Sequence, residues 1–279
     1  METHIINGRT IRNEILEQVR LGIKELPFQP VFCDVLVGDD PASEQYVRMK
    51  AKNAESVGIH FHNAHFPSTI TTDELVAEIH KLNQVPNMCG LIVQLPLPKY
   101  LDKDQVLNAI DPSIDVDCLG REASRIFYTQ STDLAFPTAL SCMKLLDSLN
   151  LDLSDKQITV VGQGQLVGKP VAHLLRVRGL EPAIVIKDTT NKDDIIKNAD
   201  IVISGTGAGK ILTKDKIKQG AVLIDAGTSE SNGSIVGDVD LDSVQGFASA
   251  VSPVPGGVGP VTVAMLLSNV LQVAKNKLK

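Results

Sequence analysis

Short apolar runs alternate with segments of helical periodicity along most of this chain. Residues 31–37 form one such run and are predicted to be a strand, whereas residues 11–23 carry Ile, Leu and Val at helical spacing. This alternation is typical of an α/β protein with a largely parallel sheet. In the first half, the pattern further predicts helices over 42–57, 72–82 and 103–109 and strands over 61–66 and 91–93.

The second half repeats the alternation after a predicted helix over 139–149, which we interpret as a bridge into a second unit. The pattern there predicts strands over 157–161, 183–186, 201–204, 221–225 and 247–251 and helices over 167–178 and 261–275. Residues 111–120 are expected to form a loop, and 121–135 are irregular in pattern. We therefore predict two α/β domains with a cleft between them: 1–138, with the last helix (261–279) packing back on it, and 139–260.

Two segments suit neither a helix nor a strand: residues 90–98 (GLIVQLPLP) and 253–260 (PVPGGVGP). In the first, Pro96 and Pro98 lack a backbone donor and end a short strand, which leaves Gln94 as the polar side chain at its end. In the second, prolines stiffen the chain while glycines let its backbone approach a ligand closely. Rigid loops at strand ends are where α/β enzymes build their sites.

Residues 162–168 (GQGQLVG) follow a predicted strand and open a predicted helix. In that context, glycines let the backbone approach a pyrophosphate, and the helix N-terminus offers free N–H groups to it. The G-x-G-x-x-x-G spacing departs by one residue from the usual fingerprint, and a purely structural glycine turn is the alternative. We predict a dinucleotide site here.

Lys187 and Asp188 stand about 24 residues after Gly164, at the end of the next predicted strand. An acid at this place usually binds the ribose 2′-hydroxyl of NAD. Lys187 would instead favour the 2′-phosphate of NADP, so the residues leave the choice of coenzyme open. A plain exposed turn is the alternative.

Two pairs of polar residues could carry chemistry or bind a ligand. Tyr46 and Lys50 lie four apart on a predicted helix that starts beyond a strand end, where a partly desolvated lysine can serve as an acid or base. Ordinary helix surface is the alternative. Asp115 and Asp117 share one side of an extended loop, so one could bind a ligand while the other fixes the loop by accepting backbone N–H groups. Loop solvation is the alternative there.

Composition narrows the class of protein. The chain has 279 residues, 43% of them hydrophobic, and a net charge of −6, which argues against nucleic-acid and membrane-surface partners. We expect no membrane-spanning stretch and no signal peptide, and the four cysteines form no C-x-x-C pair, so a cytoplasmic setting is expected. No metal site is predicted, because His60 and His62 have no carboxylate or cysteine nearby to complete a shell.

Together these motifs resemble the methylenetetrahydrofolate dehydrogenase/cyclohydrolase family, the bifunctional FolD type. The resemblance covers essentially the whole chain. The matches are Pro41-Ala42-Ser43 with Tyr46 and Lys50, VQLPLP at 93–98, DVD at 115–117 and PVPGGVGP at 253–260.

The resemblance implies that the chain oxidises 5,10-methylenetetrahydrofolate with NADP, NAD not being excluded, and hydrolyses the methenyl product to 10-formyltetrahydrofolate. It implies an N-terminal catalytic domain and a Rossmann-type dinucleotide-binding domain, a homodimer, and a place in one-carbon metabolism and purine biosynthesis. The implied catalytic and folate-binding residues are Lys50 as the acid/base, Tyr46 against the folate, Gln94 near Lys50, Asp117 on the pterin edge, and Pro255, Gly256, Gly257 and Val258 lining the cleft. The implied dinucleotide residues are Gly162, Gln163, Gly164, Val167, Gly168, Lys187, Asp188, Gly205 and Thr228.

Departures from the family pattern mostly concern the dinucleotide half. Gly162-Gln163-Gly164 stands where the family usually has Gly-Arg-Ser, and Lys187-Asp188 where it has His-Ser. Phe136-Pro137-Thr138-Ala139 replaces Pro-Cys-Thr-Pro, and Cys118 replaces the glycine after DVD. Two rival interpretations follow: another two-domain Rossmann oxidoreductase of the shikimate-dehydrogenase kind, and a folate-binding or cyclohydrolase-only homologue with a decayed dinucleotide site.

Overall fold

The alternating apolar pattern produces parallel strands joined by helices. The computed structural model describes residues 2–130, 132–231 and 233–279. The strands are β1 (His4–Ile5), β2 (Val31–Val37), β3 (His60–Phe66), β4 (Met88–Val93), β5 (Ile158–Val161), β6 (Ala183–Val185), β7 (Ile201–Ser204), β8 (Val222–Asp225), β9 (Ser229–Ser231), β10 (Ser234–Val236) and β11 (Ala250–Val251). The helices are α1 (Gly8–Lys24), α2 (Pro41–Ser56), α3 (Thr72–Leu82), α4 (Lys103–Asn108), α5 (Arg121–Thr129), α6 (Pro137–Asp147), α7 (Gly168–Val177), α8 (Lys192–Asn198), α9 (Leu241–Val244) and α10 (Val258–Asn276).

The chain divides into two units, which we name by their sheets. The three-stranded unit comprises residues 14–137 and 263–279, and the six-stranded unit comprises the residues up to 13 together with 138–262. The sequence pattern predicts that the residues up to 13 belong to the N-terminal domain, 1–138. They lie instead in the six-stranded unit because β1 pairs in parallel with β11, His4 opposite Ala250.

Both main sheets are parallel and reverse their strand order at one point. The three-stranded sheet has the order β3-β2-β4, so the chain moves to opposite sides of β2 in succession. The larger sheet has the order β6-β5-β7-β8-β11-β1, with the reversal between β5 and β7. Ligands of open α/β sheets bind outside the carboxyl ends of the strands at such a reversal. The predicted α/β class with parallel sheets is confirmed.

Local sequence signals explain where two helices of the three-stranded unit begin. Asp40 caps α2 by accepting the Ser43 N–H at 2.8 Å, and Pro41 occupies the first turn, as its missing donor allows. Thr71 and Glu74 form a capping box at the start of α3. These caps fix the directions in which both helices leave the carboxyl edge of the sheet.

Helix α5 was not foreseen, since residues 121–135 were expected to be irregular. Ala123 and Phe127, four residues apart, are buried on one face of α5, and the Phe127 ring lies edge-on to Phe136 with 5.1 Å between centroids. Tertiary packing of this stripe stabilises a helix of nine residues, which is too short to be stable on its own. Helix α8 and the antiparallel hairpin β9–β10 were likewise not predicted.

Helix α10 is the one described helix that is long and apolar enough to cross a membrane, with a mean hydropathy of 1.3, whereas no such stretch was expected. However, 61% of that stretch is buried inside the protein. Asn269, on its buried side, donates to the carbonyl oxygens of Val116 and Ala135 at 2.8 Å each. These features are those of a core helix of a globular unit.

Candidate functional site

Lys50 lies at the centre of a buried polar cluster in the three-stranded unit. Its side chain is only 9% exposed. The ammonium Nζ donates to Gln94 Oε1 at 2.7 Å and forms an ion pair with Asp34 Oδ2 at 2.5 Å. The expected hydrogen bond between Lys50 and Gln94 is therefore present, and a second partner, Asp34, joins it.

Helix α2 places Lys50 inward and Tyr46 outward. Ser43, Val47, Lys50 and Ala54 form its buried stripe at helical spacing. Tyr46, one turn before Lys50, is 48% exposed and presents its ring to solvent. An aromatic ring beside a buried lysine offers a flat surface on which a heteroaromatic ligand can stack.

Gln94 follows the last residue of β4 and is held from two sides. Its backbone N–H donates to the Val35 carbonyl at 2.9 Å, and its side-chain Nε2 donates to the Leu95 carbonyl at 2.6 Å. With the amide nitrogen occupied in this way, Oε1 is the atom that faces the Lys50 ammonium. The two prolines that follow keep this segment out of the sheet.

Asp34 was not identified from the sequence, although it is the one acidic residue in an otherwise apolar strand. It lies in the middle of β2, in register with Asn63 on β3 and Ile92 on β4, and is 0% exposed. Burial raises the pKa of Asp34, while the charge of Lys50 acts in the opposite direction. An acidic residue inside a buried apolar strand was the signal that could have identified it.

The DVD loop uses its two carboxylates differently. Asp115 is buried, and its Oδ2 accepts the Gly120 N–H at 2.8 Å, so it fixes the loop. Burial raises the pKa of Asp115 to about 6, against the effect of backbone donors led by Gly120. Cys118, in this loop, has a φ of 58°, in the left-handed region that glycine adopts freely. This backbone conformation explains why the family that the sequence resembles usually has glycine at this position.

Asp117 is only partly buried and is coupled electrostatically to the Lys50 cluster. Burial is the main cause that raises the pKa of Asp117 to about 7. The charge of Lys50 opposes this shift, and the charges of Asp115 and Asp34 add to it. A carboxylate at this position is available to a ligand that carries paired N–H donors.

The predicted dinucleotide loop lies at the reversal of the large sheet, directly after β5. Gly162 has a φ of 94°, and its N–H donates to the Val185 carbonyl at 2.8 Å. A Cβ on Gly168 would lie 2.0 Å from the Gly162 carbonyl oxygen, so only glycine lets α7 start this close to the loop. The residue before α7, Val167, gives it no side-chain cap, which leaves N–H groups of its first turn for a phosphate.

Gly205 and Thr228 belong to the neighbouring loops after β7 and β8. A Cβ on Gly205 would lie 2.5 Å from a methyl of Val167, and one on Gly162 would lie 2.9 Å from the Gly205 carbonyl oxygen. A Cβ on Gly207 would lie 3.5 Å from the Thr228 carbonyl oxygen. The fold thus brings the three predicted glycine-containing loops together at the carboxyl ends of β5, β7 and β8.

Two buried aspartates hold the loops after β7 and β8. Asp238 Oδ2 accepts the Ser204 hydroxyl at 2.6 Å and the Thr206 N–H at 2.7 Å. Asp225 Oδ1 accepts the N–H groups of Gly227 at 2.9 Å and of Asp238 at 3.1 Å. Burial raises the pKa of Asp225 to about 6, against the effect of backbone donors. Sequence reasoning had not singled out either residue.

Lys187 and Asp188 lie in an exposed turn just after β6. The Ile186 N–H donates to Thr189 Oγ1 at 2.8 Å, which closes the turn. The ammonium of Lys192 donates to the Lys187 carbonyl at 3.4 Å, so a second cation stands at this strand end. Both residues are free to meet the ribose side of a dinucleotide held by the β5–α7 loop.

The proline–glycine segment 253–260 follows β11 in the six-stranded unit. Its last three residues form the start of α10, which the sequence predicted to begin only at 261. The Gly8 N–H donates to the Gly256 carbonyl at 3.0 Å, and a Cβ on Gly8 would lie 1.9 Å from the Gly257 oxygen. Gly256 itself has a φ of 113°. Pro255, Gly256, Gly257 and Val258 therefore lie in one unit, and Lys50, Gln94 and Asp117 in the other. No group of three or more His, Cys, Asp or Glu that could hold a metal occurs among the described residues.

Comparison with known proteins gives matches over nearly the whole chain. Two family descriptions match: Tetrahydrofolate dehydrogenase/cyclohydrolase, catalytic domain, over residues 6–117, and Tetrahydrofolate dehydrogenase/cyclohydrolase, NAD(P)-binding domain, over residues 137–278. The chain is 40% identical to the Bifunctional protein FolD of Lactobacillus gasseri over 267 residues, 94% of each protein. The bifunctional enzyme FolD of Campylobacter jejuni is similar in structure, with a TM-score of 0.93 and 34% identity over 99% of both chains. The Trypanosoma brucei N5,N10-methylenetetrahydrofolate dehydrogenase-cyclohydrolase, solved with NADP and an inhibitor, gives a TM-score of 0.92 at 31% identity, over 100% of this chain and 99% of that one.

Proposed function

The chain belongs to the tetrahydrofolate dehydrogenase/cyclohydrolase family, and on that premise we propose that it oxidises 5,10-methylenetetrahydrofolate with NADP and hydrolyses the methenyl product to 10-formyltetrahydrofolate. The observation that carries the proposal is the buried Lys50 ammonium, which donates a hydrogen bond to Gln94 at 2.7 Å and is coupled electrostatically to the partly buried Asp117. A buried lysine with a solvent-exposed tyrosine ring one helical turn away can transfer protons to a flat ligand that stacks on that ring.

Binding of the folate is assigned to Tyr46 and Asp117, which belong to the same unit. The Asp117 carboxylate accepts the paired N–H donors of the pterin edge, and the Tyr46 ring packs against the ligand. The segment with Pro255, Gly256, Gly257 and Val258 lies in the six-stranded unit, where its two glycines leave the backbone open to a ligand.

The residues after β5, β7 and β8 fit a nicotinamide dinucleotide. Glycine at 162 and 168 lets α7 begin against the loop, and the uncapped first turn of α7 leaves N–H groups for the pyrophosphate. When bound, the nicotinamide supplies the hydride acceptor for the oxidation. Lys187 and Asp188 would meet the ribose side of the dinucleotide. The residues that would hold the rest of it are Gly162, Gln163, Gly164, Val167, Gly168, Gly205 and Thr228.

In the hydrolytic step, Lys50 moves the proton. Water adds to the methenyl carbon, and Lys50 takes a proton from it and returns one as the ring opens to the formyl product. Gln94 keeps the Lys50 nitrogen in place throughout by its hydrogen bond.

Substitution of Lys50 by Met tests this assignment. Lys50→Met keeps most of the side-chain volume but removes the proton carrier, so hydrolysis of supplied methenyltetrahydrofolate should fall by at least about 100-fold. Loss of methenyl absorbance measures it, with the exposed Lys52→Met on the same helix as the matched control. Undiminished hydrolysis in a folded Lys50→Met protein would contradict the assignment of Lys50 as the proton carrier.

The rival interpretations gain no support. The family matches cover both halves of the chain, including the dinucleotide half, which does not favour a decayed site or a shikimate-dehydrogenase-like enzyme. The proposal extends to a cytoplasmic homodimer in one-carbon metabolism that supplies purine biosynthesis, with neither nucleic acid nor a membrane as partner. Equilibrium sedimentation should give twice the mass of one chain, and a monomer alone would contradict the dimer.

A further inference from the structure

Asp34 is the one partner of Lys50 to which the proposed function gives no role. Its carboxylate is fully buried in the middle of β2, and Oδ2 contacts the Lys50 ammonium at 2.5 Å. Oδ1 has no hydrogen-bond partner among the described residues. A buried carboxylate is costly unless it is paired, so the contact with Lys50 is its main compensation.

The charged groups around this contact are few. Lys50 approaches from α2, and Asp117, in the loop between α4 and α5, is coupled electrostatically to Asp34. Along β2 the neighbouring titratable group is Cys33, whose pKa is raised to about 12 by burial and by the charge of Asp34. On β3 and β4 the residues in register with Asp34 are Asn63 and Ile92, neither of which titrates. Lys50 is thus the single cation facing Asp34 among these groups.

Two effects compete at Lys50. Burial of a lysine favours the neutral amine, whereas a carboxylate at 2.5 Å favours the ammonium. Gln94 reinforces the ammonium because its Oε1 accepts a hydrogen bond from Nζ. The neutral amine is nevertheless the form that can take a proton from water in the hydrolytic step.

We propose that Asp34 is a positioning residue that clamps Lys50 in its ammonium form and so sets the pH at which the hydrolytic step runs. The inference rests on the proposed function. In that step the water oxygen bonds to the methenyl carbon, the π electron pair of the C=N⁺ bond moves to nitrogen, and a water proton passes to the lysine amine. Hydride transfer needs no proton on Lys50, so the clamp restrains hydrolysis and leaves oxidation free, and methenyltetrahydrofolate accumulates at neutral pH.

The test is the pH dependence of the hydrolytic rate in Asp34→Asn. Supplied methenyltetrahydrofolate is used at saturation, so that protonation of Asp117, which weakens binding, does not contribute. Removing the opposing charge should move the midpoint of the pH–rate profile down by at least about one pH unit and raise the rate at neutral pH about tenfold. The oxidation rate in the same variant should change less than about threefold.

Matched controls separate the possible results. Asp104→Asn makes the same change on the exposed face of α4 and should leave both profiles unaltered. If Asp34→Asn does not fold, Asp34→Leu replaces the carboxylate with a side chain of the kind its strand neighbours carry and gives the same test. A midpoint that stays in place or rises would overturn the clamp, as would an equal fall of both activities in a folded variant.

The wild-type protein distinguishes the failure of this inference from that of the proposed function. If the wild-type protein oxidises and hydrolyses its folates, but Asp34→Asn keeps the same midpoint of the pH–rate profile, only the role of Asp34 is refuted. Wild-type protein that turns over neither folate refutes the proposed function and the clamp with it.

Discussion

At the scale of single residues, Asp117 makes folate binding depend on pH. The pKa of Asp117 is raised to about 7, so its carboxylate is ionised above that pH and protonated below it. A protonated carboxyl loses an acceptor for the pterin donors, and kcat/KM for methylenetetrahydrofolate should therefore fall as pH drops below about 7, by up to tenfold per unit. Steady-state oxidation between pH 5.5 and 8.5 measures this.

Replacing Asp117 isolates its contribution. Asp117→Asn keeps the shape but presents an N–H donor to a donor, so kcat/KM should fall about 100-fold and lose the step near pH 7. Asp104→Asn serves as the exposed control and should keep the step. A step of unchanged size in Asp117→Asn would assign it to another group, of which Asp115, with a pKa of about 6, is the nearest.

Residue roles were predictable where chemistry shows in the sequence and not where it depends on a tertiary contact. Lys50, Gln94 and Asp117 were each identifiable from a motif, and the structure places Lys50 and Gln94 in direct contact. Asp34 was not identified because its partner lies on another element, 16 positions along the chain. Sequence spacing along one helix indicates neighbours only three or four residues apart.

At the scale of elements, the start of α7 depends on the absence of a side chain at position 168. A Cβ there would lie 2.0 Å from the Gly162 carbonyl oxygen, which is backbone and cannot rotate away. Gly168→Ala should therefore lower the free energy of unfolding by about 2 kcal/mol or more. Urea unfolding measures it.

Gly164 provides a comparison within the same loop. The nearest atom to a Cβ on Gly164 is 4.0 Å away, an ordinary contact. Gly164→Ala should change the free energy of unfolding by less than about 1 kcal/mol. Equal losses in the two variants would show that the close approach of α7 to the loop does not control stability.

The loops after β7 and β8 lead to a second prediction at this scale. Asp238 holds the Ser204 hydroxyl and the Thr206 N–H, although nothing places it in contact with a ligand. Asp238→Asn replaces one acceptor oxygen with a donor and should raise KM for the dinucleotide about tenfold, as expected for the loss of a hydrogen bond to a charged group. Hydrolysis of supplied methenyltetrahydrofolate, which uses no dinucleotide, should change less than about twofold. A parallel fall in both activities would indicate general unfolding and contradict the local role.

Elements with long periodic patterns were predictable, and short ones were not. Helices α1, α2 and α3 and strands β2 and β3 follow from apolar spacing and caps. Strand β1 has two residues, both exposed, and exists because β11 pairs with it, which no local pattern reveals. Helix α5 does carry a local stripe, Ala123 and Phe127, but at nine residues it depends on packing against Phe136 beyond its end.

At the scale of the whole molecule, the net charge does not decide between NADP and NAD, and the choice depends on the charged groups near the ribose. The net charge of −6 repels both coenzymes, and the 2′-phosphate makes NADP the more repelled. This field is screened beyond about 8 Å at physiological salt, so groups at the end of β6 decide. Two cations stand there, because the ammonium of Lys192 is held at the carbonyl of Lys187.

We therefore expect the oxidation to prefer NADP, with the preference falling as salt rises. Lys187→Ala should lower kcat/KM for NADP about tenfold and change that for NAD less than about twofold, since an ordered charge pair with phosphate contributes on this scale. Parallel absorbance assays with the two coenzymes measure it, with the exposed Lys156→Ala as the control. Faster reduction of NAD by the unmodified protein would assign the ribose contact to Asp188. Asp188→Asn should then remove the NAD preference, since the acid that binds the 2′-hydroxyl is also the group that repels the 2′-phosphate.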